Sequence, residues 1–161
     1  MSSAFRSPTK AIVSAADLAL WQASPTHADV VAFVTGLSSS VVDTPLSQPT
    51  ASSAAVDSLL ALLSEVEALV GEHPPQDPGS SRFGNPAFRP FVDAVRSASA
   101  GWLAAVEAVP AEAVCELKGY FDASWGDRDR IDYGSGMELD FVCLLCVPQL
   151  WLGRALSSKQ C

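Results

Sequence analysis

The residues best equipped for chemistry are gathered in one short stretch, Arg130-Ile131-Asp132-Tyr133-Gly134-Ser135-Gly136-Met137-Glu138. Gly134 and Gly136 leave the main chain unshielded, so a ligand can come close to the backbone. They lead into a predicted helix whose first N–H groups lack intrahelical partners and whose dipole attracts phosphate. Arg130 adds a planar fork suited to phosphate oxygens, and the Ser135 hydroxyl can donate one more hydrogen bond. A purely structural role fits the same residues. Ser135 and Glu138 have the spacing of a capping box, and Arg130 with Asp132 can form an ion pair that ties the loop down. A G-x-G with no strand before it is not the dinucleotide fingerprint.

A second loop, Arg82-Phe83-Gly84-Asn85 followed by Pro86, Ala87, Phe88 and Arg89, sets an arginine and an aromatic beside a glycine. It reads either as a recognition corner or as an ordered turn in which Asn85 caps the next helix. Other chemistries find little support. His27 and His73 are far apart, and neither has a Ser or Cys arranged as a nucleophile partner. Cys143 and Cys146 form a C-x-x-C, but Val142, Leu144, Leu145 and Val147 surround them with apolar residues. No second pair completes a zinc set, so the metal-ligand expectation is none and the cysteines read as reduced core thiols. Trp21, Trp102, Trp125 and Trp151 read as core or interface anchors.

Positioning these loops falls to helices, and the expected class is all-α. Residues 29–37 carry Val30, Val31, Phe33, Val34 and Leu37 at helical spacing. Residues 38–53, rich in Ser, Thr and Pro, predict a loop. Over 53–70, Val56, Leu59, Leu60, Leu63, Val66 and Val70 mark one helix face. Pro74, Pro75, Pro78, Gly79 and Gly84 make 72–85 irregular. Asn85-Pro86 then opens a helix expected to reach about residue 109, because proline is tolerated at a first helical position. Pro110 opens another through Val114, Leu117 and Phe121. Residues 125–134 predict a polar loop, and a last apolar helix opens near Gly136, kinked or shortened at Pro148. Residues 1–9 read as an extended lead, 10–156 as a helical core cut short, and 157–161 as a polar tail.

The totals narrow the class of partner. With 161 residues, 48% hydrophobic and 17% charged, the chain is long enough for one real core and is not disordered in composition. A net charge of −8 argues against sequence-independent nucleic-acid binding, which needs cations on phosphates. Its first residues lack the apolar stretch of a secretory signal. The longest apolar run, 141–153, falls short of the roughly 20 residues that span a bilayer. No nucleic acid and no membrane are expected, and reduced thiols suit the cytoplasm or nucleus.

Taken together, the two loops resemble the motifs of the phosphotyrosyl phosphatase activator family. R-F-G-N followed by a small residue, an aromatic and Arg is similar to its first motif, here 82–89. R-I-D-Y-G-[ST]-G-x-E is similar to its most diagnostic one, here 130–138, and the lead Phe5-Arg6-Ser7-Pro8-Thr9-Lys10 also fits. The resemblance covers roughly 5–152. It implies a helical fold of core, linker and lid, in proteins that bind ATP with Mg2+ in a deep cleft. They engage the catalytic subunit of type 2A phosphatases and are described as peptidyl-prolyl cis/trans isomerases acting on proline-containing peptides. Carried over, Arg130, Ser135 and Gly136 contact ATP. Asp132, Tyr133, Gly134 and Glu138 shape the catalytic cleft, and Arg82, Phe83, Gly84 and Asn85 form the second motif loop.

Two departures stand out. Met137 replaces the usual His, and Pro148 interrupts a helix the family keeps continuous. Family members are about twice this length, and their later half supplies the lid and the magnesium-linked residues. ATP binding by this chain alone is therefore expected to be weak or absent, because half a cleft leaves its ligand wet. A non-catalytic helical adaptor that engages the phosphatase without a working nucleotide pocket is the alternative.

Overall fold

The computed structural model describes residues 5–49, 51–77, 79, 84–107 and 109–157, with Ser135 and 148–157 described by backbone alone. The order is α1 (Ala15–Gln22), α2 (Pro25–Ser40), α3 (Ala54–Glu72), α4 (Phe88–Ala105), a 3-10 turn (Ala111–Ala113), α5 (Val114–Ala123) and α6 (Ser135–Ser157). No strand occurs among the described residues, so the all-α expectation holds.

The chain divides into two compact units. The first comprises Met1–Ser7 and Ser52–Phe141, and α4 is its centre, packed against both α3 and α5. Val92, Val95, Ser99 and Leu103 recur every three or four residues on α4, which puts them on one buried face. Leu117 and Phe121 of α5 meet that face, and Phe121 stacks edge-on with Trp102 and Trp125. One polar knot crosses this contact. The Ser99 hydroxyl, fully buried, donates to Asp122 at 2.7 Å, while Lys118 Nζ donates to Ser99 Oγ, Asp122 Oδ2 and the carbonyl of Arg96. Phe5 is buried too, and Ser7 donates to the Cys115 carbonyl, so the lead is tied down at its end.

The second unit comprises Pro8–Ala51 and Val142–Cys161. Ser14 and Asp17 form a reciprocal capping box that starts α1, and Ser24 caps α2 with Pro25 in its first turn. Trp21 and His27 meet edge to face where the two helices join. Leu144 and Cys146 of α6 are buried in this unit.

Four expectations need correction. On α3 the face turned to the core carries Leu62 and Val66, while Val56, Leu60 and Val70 are exposed. That helix is apolar on more than one side, so periodicity alone did not say which side α4 would cover. Asn85 does not cap α4, whose N-cap is Ala87 without a side-chain bond; the helix ends at Ala105 rather than near 109. Of the kink or shortening expected at Pro148, the shortening does not occur, since the α6 backbone continues to Ser157. Cys115 is exposed rather than core, though no disulfide joins Cys115, Cys143 or Cys146.

Candidate functional site

The segment after α5 turns back on itself before α6. Asp127 N–H donates to the Asp132 carbonyl at 2.9 Å and Ile131 N–H to the Asp127 carbonyl at 2.8 Å. Inside the turn, Asp127 Oδ1 accepts from the N–H groups of Asp129 and Arg130, each at 2.9 Å, the Asx arrangement that short acidic side chains favour. These amides hold the Asp127 carboxyl below its ordinary pKa range, Arg130 N–H foremost. Gly126 lies at φ 111°, where an added Cβ would meet the Asp132 carbonyl at 2.7 Å. Ile131 has φ 54°, a left-handed conformation costly for a β-branched residue.

Arg130 stands on the outer side of this turn, and its side chain is 66% exposed. Its Nε lies 3.3 Å from Asp127 Oδ2 and 3.3 Å from Asp132 Oδ2. The ion pair anticipated between Arg130 and Asp132 is therefore present, joined by a second carboxylate. Both acids hold the Nε edge. The guanidinium stays largely open to solvent, where an anion can reach it.

The start of α6 follows at once. Met137 N–H donates to the Gly134 carbonyl, and α6 begins at Ser135. A Cβ placed on Gly134 or Gly136 would meet nothing within 4 Å, and neither has positive φ. The described residues therefore give no steric reason for glycine at either position, which leaves the main chain there open. Tyr133 and Glu138 are exposed and Gly134 half-buried. The Ser135 side chain, and with it the capping box, lies outside the described residues.

The second motif loop is brought to the first. Arg82 and Phe83 lie outside the described residues, but Gly84 sits so close to Ile131 that an added Cβ would be 2.6 Å from its carbonyl oxygen. Asn85 bridges the loop instead of capping a helix. Its Oδ1 accepts from Gln76 and Ala87 N–H and its Nδ2 donates to the Gln76 carbonyl at 2.6 Å.

Two cavities flank these loops. One, of about 260 Å³, is lined by Arg96, Asp127, Arg128, Asp129, Met137 and Asp140, and burial pushes the Asp140 carboxyl above its usual pKa. The other, of about 220 Å³, has apolar walls from Val70, Pro75, Phe88 and Phe91, with His73 and Asn85. Trp125 Nε1 is buried with no hydrogen-bond partner among the described residues.

A family model described as Phosphotyrosyl phosphate activator (PTPA) protein matches residues 8–159. The chain belongs to this family. It is 42% identical over 144 residues to serine/threonine-protein phosphatase 2A activator 2 of Cryptococcus neoformans, covering 89% of this chain and 38% of that protein. With the protein of the same name from Neurospora crassa it is 45% identical over 151 residues, 91% and 34% of the two chains. The crystal structure of the PP2A phosphatase activator Ypa1 superposes with a TM-score of 0.77 at 29% identity, covering 88% of this chain and 46% of that one. The chain thus spans between about a third and just under half of the length of these relatives.

The two motif loops meet at Gly84 and Ile131, so that 84–89 and 130–138 build one corner of the first unit. Besides Arg89, which closes the first motif, three residues that support this corner escaped sequence reasoning. Arg89 and Asp93 of α4 and Arg128 and Asp127 of the loop hold the turn in place. The spacing of Asp127 to Arg130 could have signalled the Asx turn; nothing in the sequence announces the 35-residue reach from Asp93 to Arg128.

Proposed function

We propose that this chain supplies one wall of an ATP–magnesium cleft and acts in the activation of type 2A serine/threonine protein phosphatases. The observation that carries the reading is the open-backbone start of α6 beside Arg130, whose side chain is 66% exposed. Arg130, Ser135 and Gly136 would hold phosphate oxygens by a charged fork, a hydroxyl and a helix-start amide. When bound, the nucleotide with its magnesium supplies the charge and free energy that couple this corner to the phosphatase. No group of three or more His, Cys, Asp or Glu among the described residues could hold a metal, so no residue here is assigned to magnesium. The printed names of the relatives, phosphatase 2A activators, support the phosphatase catalytic subunit as partner.

Peptidyl-prolyl isomerase activity belongs to the same reading. It requires no nucleophile, because the prolyl amide only has to be carried over a barrier of about 18–20 kcal/mol by a site that binds its twisted form better. The apolar cavity beside Asn85 supports this, as a dry surface for a proline ring. Asp132, Tyr133, Gly134 and Glu138 would shape the neighbouring wall.

One observation favours a second reading, a non-catalytic adaptor. Met137, half-buried on the charged cavity, offers no titratable group where the family pattern has His. Mixing the chain with a type 2A catalytic subunit, ATP and Mg2+ decides between them. A rise in phosphoserine-peptide hydrolysis that Arg130→Ala abolishes, with faster isomerisation of a proline peptide, is the expected result. Binding without either effect would establish the adaptor, and no binding at all would sink both.

A further inference from the structure

The corner holds more than the motif residues. Arg89 and Asp93 are one turn apart on α4, on the same face. The Arg89 guanidinium donates from Nε to the Arg128 carbonyl at 3.3 Å and from Nη2 to the Asp129 carbonyl at 3.2 Å. Asp93 receives the Arg128 side chain as a two-point fork, Nε to Oδ1 at 2.6 Å and Nη2 to Oδ2 at 2.7 Å. A single residue, Arg128, is thus gripped by its main chain and by its side chain from one helix.

Two residues further on stands Arg130. The next residue, Ile131, lies at φ 54°, a strained conformation that persists only where the surroundings over-determine it. We propose that Arg89 and Asp93 form a latch that positions the 127–132 turn so that Arg130 and the start of α6 face an anionic ligand together. The latch deepens the phosphate-binding reading of this site and rests on it. Arg89 and Asp93 touch no ligand themselves; they act through Arg130. Their place is at the surface, where the Arg128 and Asp93 side chains are 37% and 50% exposed. An exposed pair adds little to global stability, whereas it constrains one loop directly. The buried contact of α4 with α5, through Val92, Val95 and Phe121, does not depend on it.

The test uses the full chain and its Arg89→Ala, Arg89→Lys, Asp93→Asn, Arg130→Ala and Arg89→Ala/Arg130→Ala variants. Amide hydrogen exchange and ATP–Mg2+ titration followed at the Gly136 amide are the two readouts, with thermal unfolding as control. In Arg89→Ala the amides of Asp129, Arg130 and Ile131 should exchange on the order of tenfold faster, with the melting temperature and the α5 amides unchanged. Half-saturation should need on the order of tenfold more ATP. The double variant should bind no worse than Arg130→Ala, since residues acting as one unit are not additive. Lysine, a point charge that cannot span two carbonyls as the guanidinium fork does, should restore only part of the loss. Asp93→Asn should reproduce the faster exchange. Unchanged exchange in Arg89→Ala overturns the latch, as does an ATP penalty equally large with and without Arg130. An ATP response indifferent to Arg130→Ala overturns the phosphate-site reading instead, and the exchange arm then decides the latch by itself.

Discussion

At Gly84 the main chain presses on Ile131 closely enough that a methyl group has no room, whereas at Gly136 the same methyl would stand in open space. The two glycines therefore differ: packing inside the chain demands the first, and under the proposed function an approaching ligand accounts for the second. Gly84→Ala should lower unfolding stability by roughly 1–3 kcal/mol in urea titration, while Gly136→Ala should leave it unchanged and weaken ATP binding alone. Equal stability losses in both would contradict this division. The acids of the loop carry a second prediction. The Arg128 guanidinium holds the Asp93 carboxyl below its usual range, and the Arg130 amide does the same for Asp127. A depressed folded value gives stability that is complete above the unfolded aspartate pKa of about 3.9 and is lost as pH falls through the folded values. Loop amides 129–131 should therefore exchange faster than expected as pH drops below about 4, beyond the ordinary pH dependence of exchange. Both motif loops were legible in the residues themselves, because a glycine-rich helix start and an arginine have local meanings. The bonds made by Arg89 and Asp93 were not, because they reach residues 35 to 40 positions away.

Helices were more legible as elements than in the face each one buries. On α4 the buried positions are Val92, Val95, Ser99 and Leu103, three and four apart, and one of them is a serine that no apolar pattern marks. On α3 apolar residues surround more of the helix, and the tertiary partner chose Leu62 and Val66 over Val56, Leu60 and Val70. Asn85 was misjudged for a related reason. A side chain able to cap a helix can equally bridge two loop strands, and the Gln76 main chain won its bonds. The contact between α4 and α5 offers a test at this scale. Asp122→Ala would remove the carboxylate that the buried Ser99 hydroxyl and Lys118 share, leaving them the Arg96 carbonyl. The expected cost is about 1–3 kcal/mol, read from urea unfolding. A loss near zero would mean that solvent replaces the carboxylate at no expense.

For the molecule as a whole, helical class and family were readable from the chain, and the model match over residues 8–159 confirms the family. The division into two compact units was not readable, because Pro8–Ala51 joins a segment from the far end of the chain, Val142–Cys161. No described helix is long and apolar enough to cross a membrane. The functional corner lies wholly within the first unit, from Gly84 through Asp127 to Asp140, so its geometry can be probed in the chain as it stands. The central claim is that this corner binds the phosphates of a nucleotide. A titration of ATP–Mg2+ into isotope-labelled chain, followed amide by amide in nuclear magnetic resonance spectra, detects even weak binding. The account predicts shifts concentrated at Arg130, Gly134, Gly136 and Met137 that saturate, and at least about a tenfold loss of affinity in Arg130→Ala. Shifts scattered away from these amides, or a response that Arg130→Ala leaves intact, would contradict it.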